Sequence, residues 1–301
     1  MLIDYGGADA TTFIAGMGRS GTTWIADVVN YDHSHRVLFE PFLPGQVKEA
    51  RPFKYIHYLP PHDADPARIH AAETILSGKV RHPWVDRENR RFLYGRRIVK
   101  DIRCNLMLGW LKAIRPAMPI ILVMRHPLAV AASWMQLGWG KTVDGVGDDF
   151  SIITSQTELL ADFPEIDRIR RRIDPHDALE KIIFEWCVFH WVPFRQFRSD
   201  EVLLVVYENL ILTPEDAARN LFCGLKRPVD YDHLRSALRT QSGTDFLKRG
   251  PSSAQVSRLT DWKNVVRPQQ VEHAKDILAM FGLDGLYDHD GHPTGAQPFQ
   301  K

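Results

Sequence analysis

The chain has 301 residues, 44% hydrophobic and 25% charged, ordinary usage for a soluble protein and enough to bury a core without disulfides or metals. Its 38 Lys and Arg balance 37 Asp and Glu, so the formal charge of +1 argues against coating nucleic acid and leaves room only for a local anion pocket. The longest apolar run, Met118–Met124, is too short to span a membrane, the first residues lack a leader pattern, and Cys104, Cys187 and Cys223 have no metal or disulfide spacing; a cytoplasmic protein with free thiols is expected.

Thr11–Ala15 reads as a short buried strand ending at Gly16, and Thr22–Tyr31 as a helix with Trp24, Ile25, Val28 and Val29 on one face. Val37–Phe39 is a short strand. Residues 41–96 form a long Pro- and His-containing stretch, helical near Ala67–Leu76. Arg97–Lys100 is a strand and Asn105–Ile114 a helix. Pro119–Met124 is the clearest strand, because a continuous apolar run suits a strand covered on both faces. His126-Pro127 opens a helix in which Leu128, Ala131, Ala132 and Met135 repeat at helical spacing. A Gly/Asp-rich loop, Gly138–Asp149, follows. Ala178–Arg198 is a long helix, Val202–Val206 a buried strand, Thr213-Pro214-Glu215-Asp216 a helix start, and Pro268–Phe281 a last amphipathic helix. Strands alternating with helices predict an α/β fold, a central mainly parallel sheet flanked by helices. Residues 1–287 are expected to form one domain, with insertions at about 41–96 and 138–177 as substrate lids and a polar tail at 288–301.

The sharpest signal is Gly16-Met17-Gly18-Arg19-Ser20-Gly21-Thr22-Thr23-Trp24, which leaves a strand and opens a helix. That context makes a glycine-rich string a phosphate site: glycines permit a tight turn, amides form an anion nest, and the helix N-terminus adds partial positive charge. Thr22 and Thr23 supply hydroxyls, and Arg19 a forked cation. The spacing nearly matches the nucleotide-triphosphatase loop, a P-loop, but Thr22 fills the lysine slot. No convincing strand ends in a magnesium-binding aspartate, since Asp101 has Lys100 beside it. The loop therefore suits a phosphate-like group handled without a metal.

This loop resembles the 5′-phosphosulfate loop of sulfotransferases that use 3′-phosphoadenylyl sulfate, in a style closest to the bacterial and protein-tyrosine enzymes. Ile120–Met124 followed by Arg125 and, eight residues on, Ser133 resembles the family's second motif. The resemblance implies that Arg125 and Ser133 bind the 3′-phosphate, while Arg19, Ser20, Gly21, Thr22 and Thr23 hold the 5′ end. Val205-Val206-Tyr207-Glu208-Asn209-Leu210 is similar to the family strand whose tyrosine, here Tyr207, lies near the nucleotide. Trp24 reads either as an adenine-stacking ring or as a core aromatic. Residues 252–263 resemble a late loop closing over the nucleotide, from which Ser253 and Lys263 would reach phosphate.

Sulfuryl transfer needs a base for the acceptor, an in-line SO₃ group and neutralisation of the departing phosphate. The resemblance implies Glu40 as base, 21 residues after Arg19. Placed beside an apolar strand, its pKa is expected to be raised. His33 and His35, the alternative base type in cytosolic relatives, read as solvated turn residues. Lys100 at a strand end implies contact with the bridging oxygen and sulfuryl group, and Arg19 shares that catalytic role. Arg96, Arg97 and Arg103 add local positive charge or are plain surface. Tyr55, His57, Tyr58, Trp84, Trp134 and Trp139 offer aromatic surface for an acceptor: a small-molecule, carbohydrate or lipid-linked hydroxyl, or an amine. No nucleic-acid partner and no metal are expected. The competing readings are a P-loop kinase and a non-catalytic adenine-nucleotide-binding module.

Overall fold

The computed structural model describes residues 2–139, 148–239 and 259–299. Its centre is a parallel five-stranded sheet built from β2 (Thr11–Gly16), β3 (His35–Phe39), β5 (Arg96–Asp101), β6 (Ile120–Met124) and β7 (Leu203–Val206). The order is β3-β5-β2-β6-β7. A two-stranded parallel pair, β1 (Ile3–Asp4) with β4 (Leu93–Tyr94), stands apart from it.

Side chains alternate between the sheet's faces with the strand period of two. Phe13 and Ala15 of β2, with Ile120, Leu122 and Met124 of β6, enter one hydrophobic cluster. Ile14, Ile121 and Val123 enter the other. The first cluster receives α2 (Pro66–Leu76), α4 (Leu108–Ile114), α5 (Pro127–Leu137) and α9 (Ala178–Gln196). The second receives α1 (Thr22–Val29), α11 (Pro214–Gly224) and α12 (Tyr231–Arg239). Cover on both faces explains why β6 is apolar without alternation in its sequence.

The second insertion brings α6 (Asp149–Thr154), α7 (Thr157–Asp162) and α8 (Pro164–Arg170), and the first adds α3 (Pro83–Asp86). Short α10 (Asn209–Leu212) follows β7, and α13 (Pro268–Met280) packs on α9. Pro66, Pro83, Pro127, Pro164, Pro214 and Pro268 stand in first turns, where a missing amide hydrogen costs nothing. Among the described residues no helix is long and apolar enough to cross a membrane.

The central strand β2 is followed in sequence by β3 on one side of it, while β6 and β7 lie on the other. Such a reversal opens a crevice at the carboxyl ends of the strands.

Candidate active site

Every strand of the main sheet delivers a sequence-predicted residue to this carboxyl edge. The Gly16–Gly21 loop leaves β2, Glu40 follows β3, Lys100 lies near the end of β5, Arg125 follows β6 and Tyr207 follows β7.

Arg19 (φ 71°) and Gly21 (φ 89°) both hold left-handed backbone, the geometry from which anion nests are made. A Cβ on Gly21 would meet the Tyr207 ring at 2.5 Å, so position 21 excludes other residues by space as well as by conformation. Gly21 caps α1 without any side-chain bond to its first amides, which leaves the helix's positive end for a ligand. Ser20 Oγ is buried and has no partner among the described residues. Thr22 is buried and Thr23 half-buried in the first turn.

Three candidates from two motifs meet here. Arg19 Nε donates to Ser133 Oγ at 3.0 Å, and Arg125 Nη1 donates to the Arg19 carbonyl at 3.0 Å. The Arg125 guanidinium lies 4.6 Å over the Tyr207 ring, a cation–π contact. Trp24 is buried, packs edge-on to Tyr207 at 5.3 Å and donates Nε1–H to the Ala237 carbonyl at 3.3 Å. Lys263 pairs with Asp290 at 3.4 Å and lies beside Trp262, whose ring stacks on His126. Ser253 falls outside the described residues.

The second half of the site is a buried ion cluster. The Glu40 amide donates to the Lys100 carbonyl at 2.7 Å, one step beyond the Phe39–Lys100 register pair. Lys100 Nζ donates to Glu40 Oε1 at 2.8 Å, and Arg103 Nη1 donates to Oε2 at 2.6 Å. Glu40 has φ 44°, a left-handed backbone that costs a non-glycine residue about 1–2 kcal/mol. Lys100 Nζ also lies 4.0 Å over the Phe39 ring.

The expected raised pKa of Glu40 is corrected here. Burial pushes the carboxyl up, but Lys100 and Arg103 outweigh it and hold Glu40 below its ordinary value. Burial pushes the Lys100 ammonium down, only partly offset by Glu40 and Asp101. Asp101, itself raised by burial, accepts the Phe42 amide at 3.0 Å and the Arg103 amide at 2.9 Å, which fixes the turn aiming Arg103 at Glu40.

Sequence reasoning grouped Arg96, Arg97 and Arg103, and the structure separates them. Only Arg103 joins the site. Arg97 lies three residues before Lys100 on β5, about 10 Å away at a strand's rise. It turns instead into a network with Asp4, and Arg96 is exposed. The strand rise alone would have parted Arg97 from Lys100, whereas nothing local marks Arg103 as a partner of Glu40.

Two further expectations are revised. His33 is exposed as read, but His35 begins β3 as a buried residue, its imidazole pushed down to about 4 by burial. Of the aromatic set, His57, Tyr58 and Trp134 are buried structural groups. Tyr58 donates to Asp162 at 2.5 Å, and Trp134 Nε1 donates to the Gly18 carbonyl at 2.8 Å, bracing the loop. Trp84 Nε1 reaches the Glu40 carbonyl at 3.4 Å. Tyr55 is half-buried with its ring 5.3 Å from Arg103, and Trp139 is 41% exposed.

A family model described as "Sulfotransferase family" matches residues 12–231, more than half the chain. Curated protein sequences give no match. Among solved structures, the sulfotransferase domain from the curacin biosynthetic pathway is 14% identical, with TM-score 0.47 over 89% of this chain and 95% of that one. A mouse sulfotransferase, SULT7A1, complexed with PAP is 13% identical, with TM-score 0.46 over 92% and 85%. Retinol dehydratase with androsterone and PAP is 14% identical, with TM-score 0.40 over 91% and 80%. On the family match, which spans β2 through β7 and so every strand that feeds the site, the chain belongs to the sulfotransferase family and is a sulfotransferase enzyme.

Proposed function

We propose that the chain transfers a sulfuryl group from 3′-phosphoadenylyl sulfate to a hydroxyl or amine, with Glu40 as general base and without a metal. The observation that carries this reading is the meeting of Arg19, Ser133 and Arg125 on the same sheet edge as the Glu40–Lys100–Arg103 cluster. The residues fit such a donor: a left-handed loop, the buried unpartnered Ser20 hydroxyl, an uncapped helix start and an arginine at a strand end. Bound there, the donor supplies an activated SO₃ group and a phosphate leaving group.

Arg19, Ser20, Gly21, Thr22 and Thr23 hold the 5′-phosphosulfate end. Arg125, backed by Tyr207, and Ser133 hold the 3′-phosphate, with Trp24 on the adenine side and Ser253 and Lys263 in the closing loop. Glu40 accepts the acceptor's proton as the acceptor oxygen or nitrogen bonds to sulfur and the sulfur–phosphate oxygen bond breaks. Lys100 and Arg19 stabilise the charge left on the departing phosphate. Their positive charge takes the place that a magnesium ion holds in triphosphate chemistry.

The resting ion pair also has a mechanistic use. Two cations keep Glu40 ionised but make it a weak base. When Lys100 turns to the bridging oxygen, one cation leaves Glu40 and its proton affinity rises at the moment of transfer. The acceptor is a small molecule, carbohydrate or lipid-linked alcohol admitted between the lids at about 41–96 and 138–177, within one domain over 1–287. Radiolabelled donor with a panel of phenols, alcohols, sugars and amines tests the reading. Label should move to an acceptor in wild type and not in Glu40→Gln. Transfer undiminished in Glu40→Gln would remove Glu40 as base, and no transfer to any acceptor class by wild type would overturn the reaction.

A further inference from the structure

The peptide unit between Arg125 and His126 is gripped at both polar atoms by side chains from other elements. Trp186 of α9 donates Nε1–H to the Arg125 carbonyl at 2.9 Å. The His126 amide donates to Glu208 Oε1 at 2.9 Å. Both gripping side chains are buried, Trp186 at 0% and Glu208 at 1% exposure. Glu208 directly follows Tyr207, whose amide bonds the Met124 carbonyl at 2.8 Å and whose ring underlies the Arg125 guanidinium. The segment around Arg125 is thus held by consecutive residues, one bracing its backbone and the next its peptide.

The carboxyl-terminal part of the chain closes on the same group. Tyr287 donates its hydroxyl to Glu208 Oε2 at 3.1 Å. His126 stacks on Trp262 at 4.9 Å and 12° and meets Tyr287 edge-on at 4.7 Å. A buried carboxyl is costly unless its oxygens are used, and here each oxygen has a donor. The position matters because a long side chain is a lever. Rotating the Arg125–His126 peptide changes the backbone torsion of Arg125 and sweeps its guanidinium out of register with Arg19 and Ser133.

We propose that Glu208 is a positioning residue for recognition of the donor's 3′-phosphate, with Trp186 as the other jaw of the same clamp. This rests on the reading of Arg125 as the 3′-phosphate ligand. Within the clamp the consecutive pair Tyr207-Glu208 acts jointly, since Tyr207 supports the guanidinium and Glu208 sets the peptide that aims it.

Calorimetry on the full chain tests this with adenosine 3′,5′-bisphosphate and adenosine 5′-monophosphate, which differ only in the group Arg125 reads. Glu208→Ala is expected to weaken bisphosphate binding by about tenfold or more and monophosphate binding by less than about threefold. Glu208→Gln keeps an oxygen for the His126 amide and should restore most of the preference. Trp186→Phe, which keeps an aromatic ring but removes the donor, should lower the preference in the same direction and decides the matter if Glu208→Ala does not fold. A folded Glu208→Ala or Trp186→Phe with the wild-type affinity ratio, or with equal loss for both nucleotides, overturns the clamp. Arg125→Ala separates the two claims. If it leaves the ratio unchanged, the 3′-phosphate reading itself fails. If it abolishes the ratio while both clamp variants keep it, only the clamp fails.

Discussion

Strands β3 and β5 carry a buried charge cluster at each end, and the two clusters differ in completeness. At the amino ends, Asp4 accepts Arg97 at 2.8 and 3.0 Å and Arg36 at 3.2 Å. Arg36 also grips Asp86 at 2.7 Å and the carbonyls of Gly78 and Val80, while Arg97 takes those of Gly6 and Gly7. Asp4, Arg36 and Arg97 have no buried side-chain atom left without a partner. At the carboxyl ends, Glu40 pairs with both Lys100 and Arg103, yet Arg103 Nε is buried and unpartnered among the described residues, as is Ser20 Oγ in the loop after adjacent β2. Glu40 and Arg19 also hold left-handed backbone there. A saturated cluster fastens the fold. A cluster with spare donors and strained backbone marks a candidate ligand site.

The largest expected effect breaks the closed end. Asp4→Ala leaves Arg36 and Arg97 buried with fewer counter-charges and should cost about 3–5 kcal/mol. Urea unfolding measures it, and nucleotide affinity per folded molecule should stay unchanged. A loss below about 1 kcal/mol would deny the closed cluster its structural role.

Substitution at the open end should reverse that pattern. Lys100→Met and Glu40→Gln are each expected to lower turnover by about 10²–10³, with a smaller loss of stability than Asp4→Ala. Steady-state kinetics beside thermal melts checks this. A variant that loses stability and keeps its rate would place its residue with the closed cluster.

Much of this contrast was legible in the sequence. The glycine-rich loop, the strand ending in Arg125 and the strand before Glu40 each combine an apolar run with a local exception, and all three fall where expected. Partnerships were not legible. Arg36 and Asp4 are 32 positions apart and in separate sheets, Glu40 and Arg103 are 63 apart, and only the tertiary fold brings them together. The sign of the Glu40 shift failed for the same reason: burial shows in the flanking apolar residues, but the compensating cations come from β5 and the turn after it. His35 looked solvated because its neighbours Asp32, His33 and Ser34 are polar, yet its own position begins β3.

A smaller effect sharpens the assignment within the open end. Arg125→Ala should weaken adenosine 3′,5′-bisphosphate binding by more than about tenfold, or about 1.4 kcal/mol, by calorimetry. Unchanged affinity would move the 3′-phosphate elsewhere.

The gentlest probe is pH. Burial holds His35, His57 and His190 down to about 4 and His126 to about 3. The unfolded chain binds protons to these rings near their ordinary value of 6.5 while the folded chain does not. Each ring's own contribution to stability should therefore be full above that value and fall as pH drops from 6.5 towards 4, by up to about 1.4 kcal/mol per pH unit. Glu40, held low, keeps its charge and its stabilising pair until the pH falls below the ordinary carboxylate range. Asp27 and Asp149, pushed up to about 6 by burial, act in the opposite sense. Denaturant titrations from pH 7 to pH 4 should therefore compare wild type with His35→Asn. The decline should be shallower in the variant, and parallel profiles would contradict the burial of that ring.

The central claim is that the open end is a metal-independent site for a 3′-phosphorylated adenine nucleotide. Calorimetry with wild-type protein, comparing adenosine 3′,5′-bisphosphate in chelator with ATP and magnesium, tests it most directly. Tight bisphosphate binding without metal is expected, with ATP–magnesium binding weaker by about tenfold or more. Tight ATP–magnesium binding with weak bisphosphate binding would contradict the claim and make the Arg19 loop a triphosphate site.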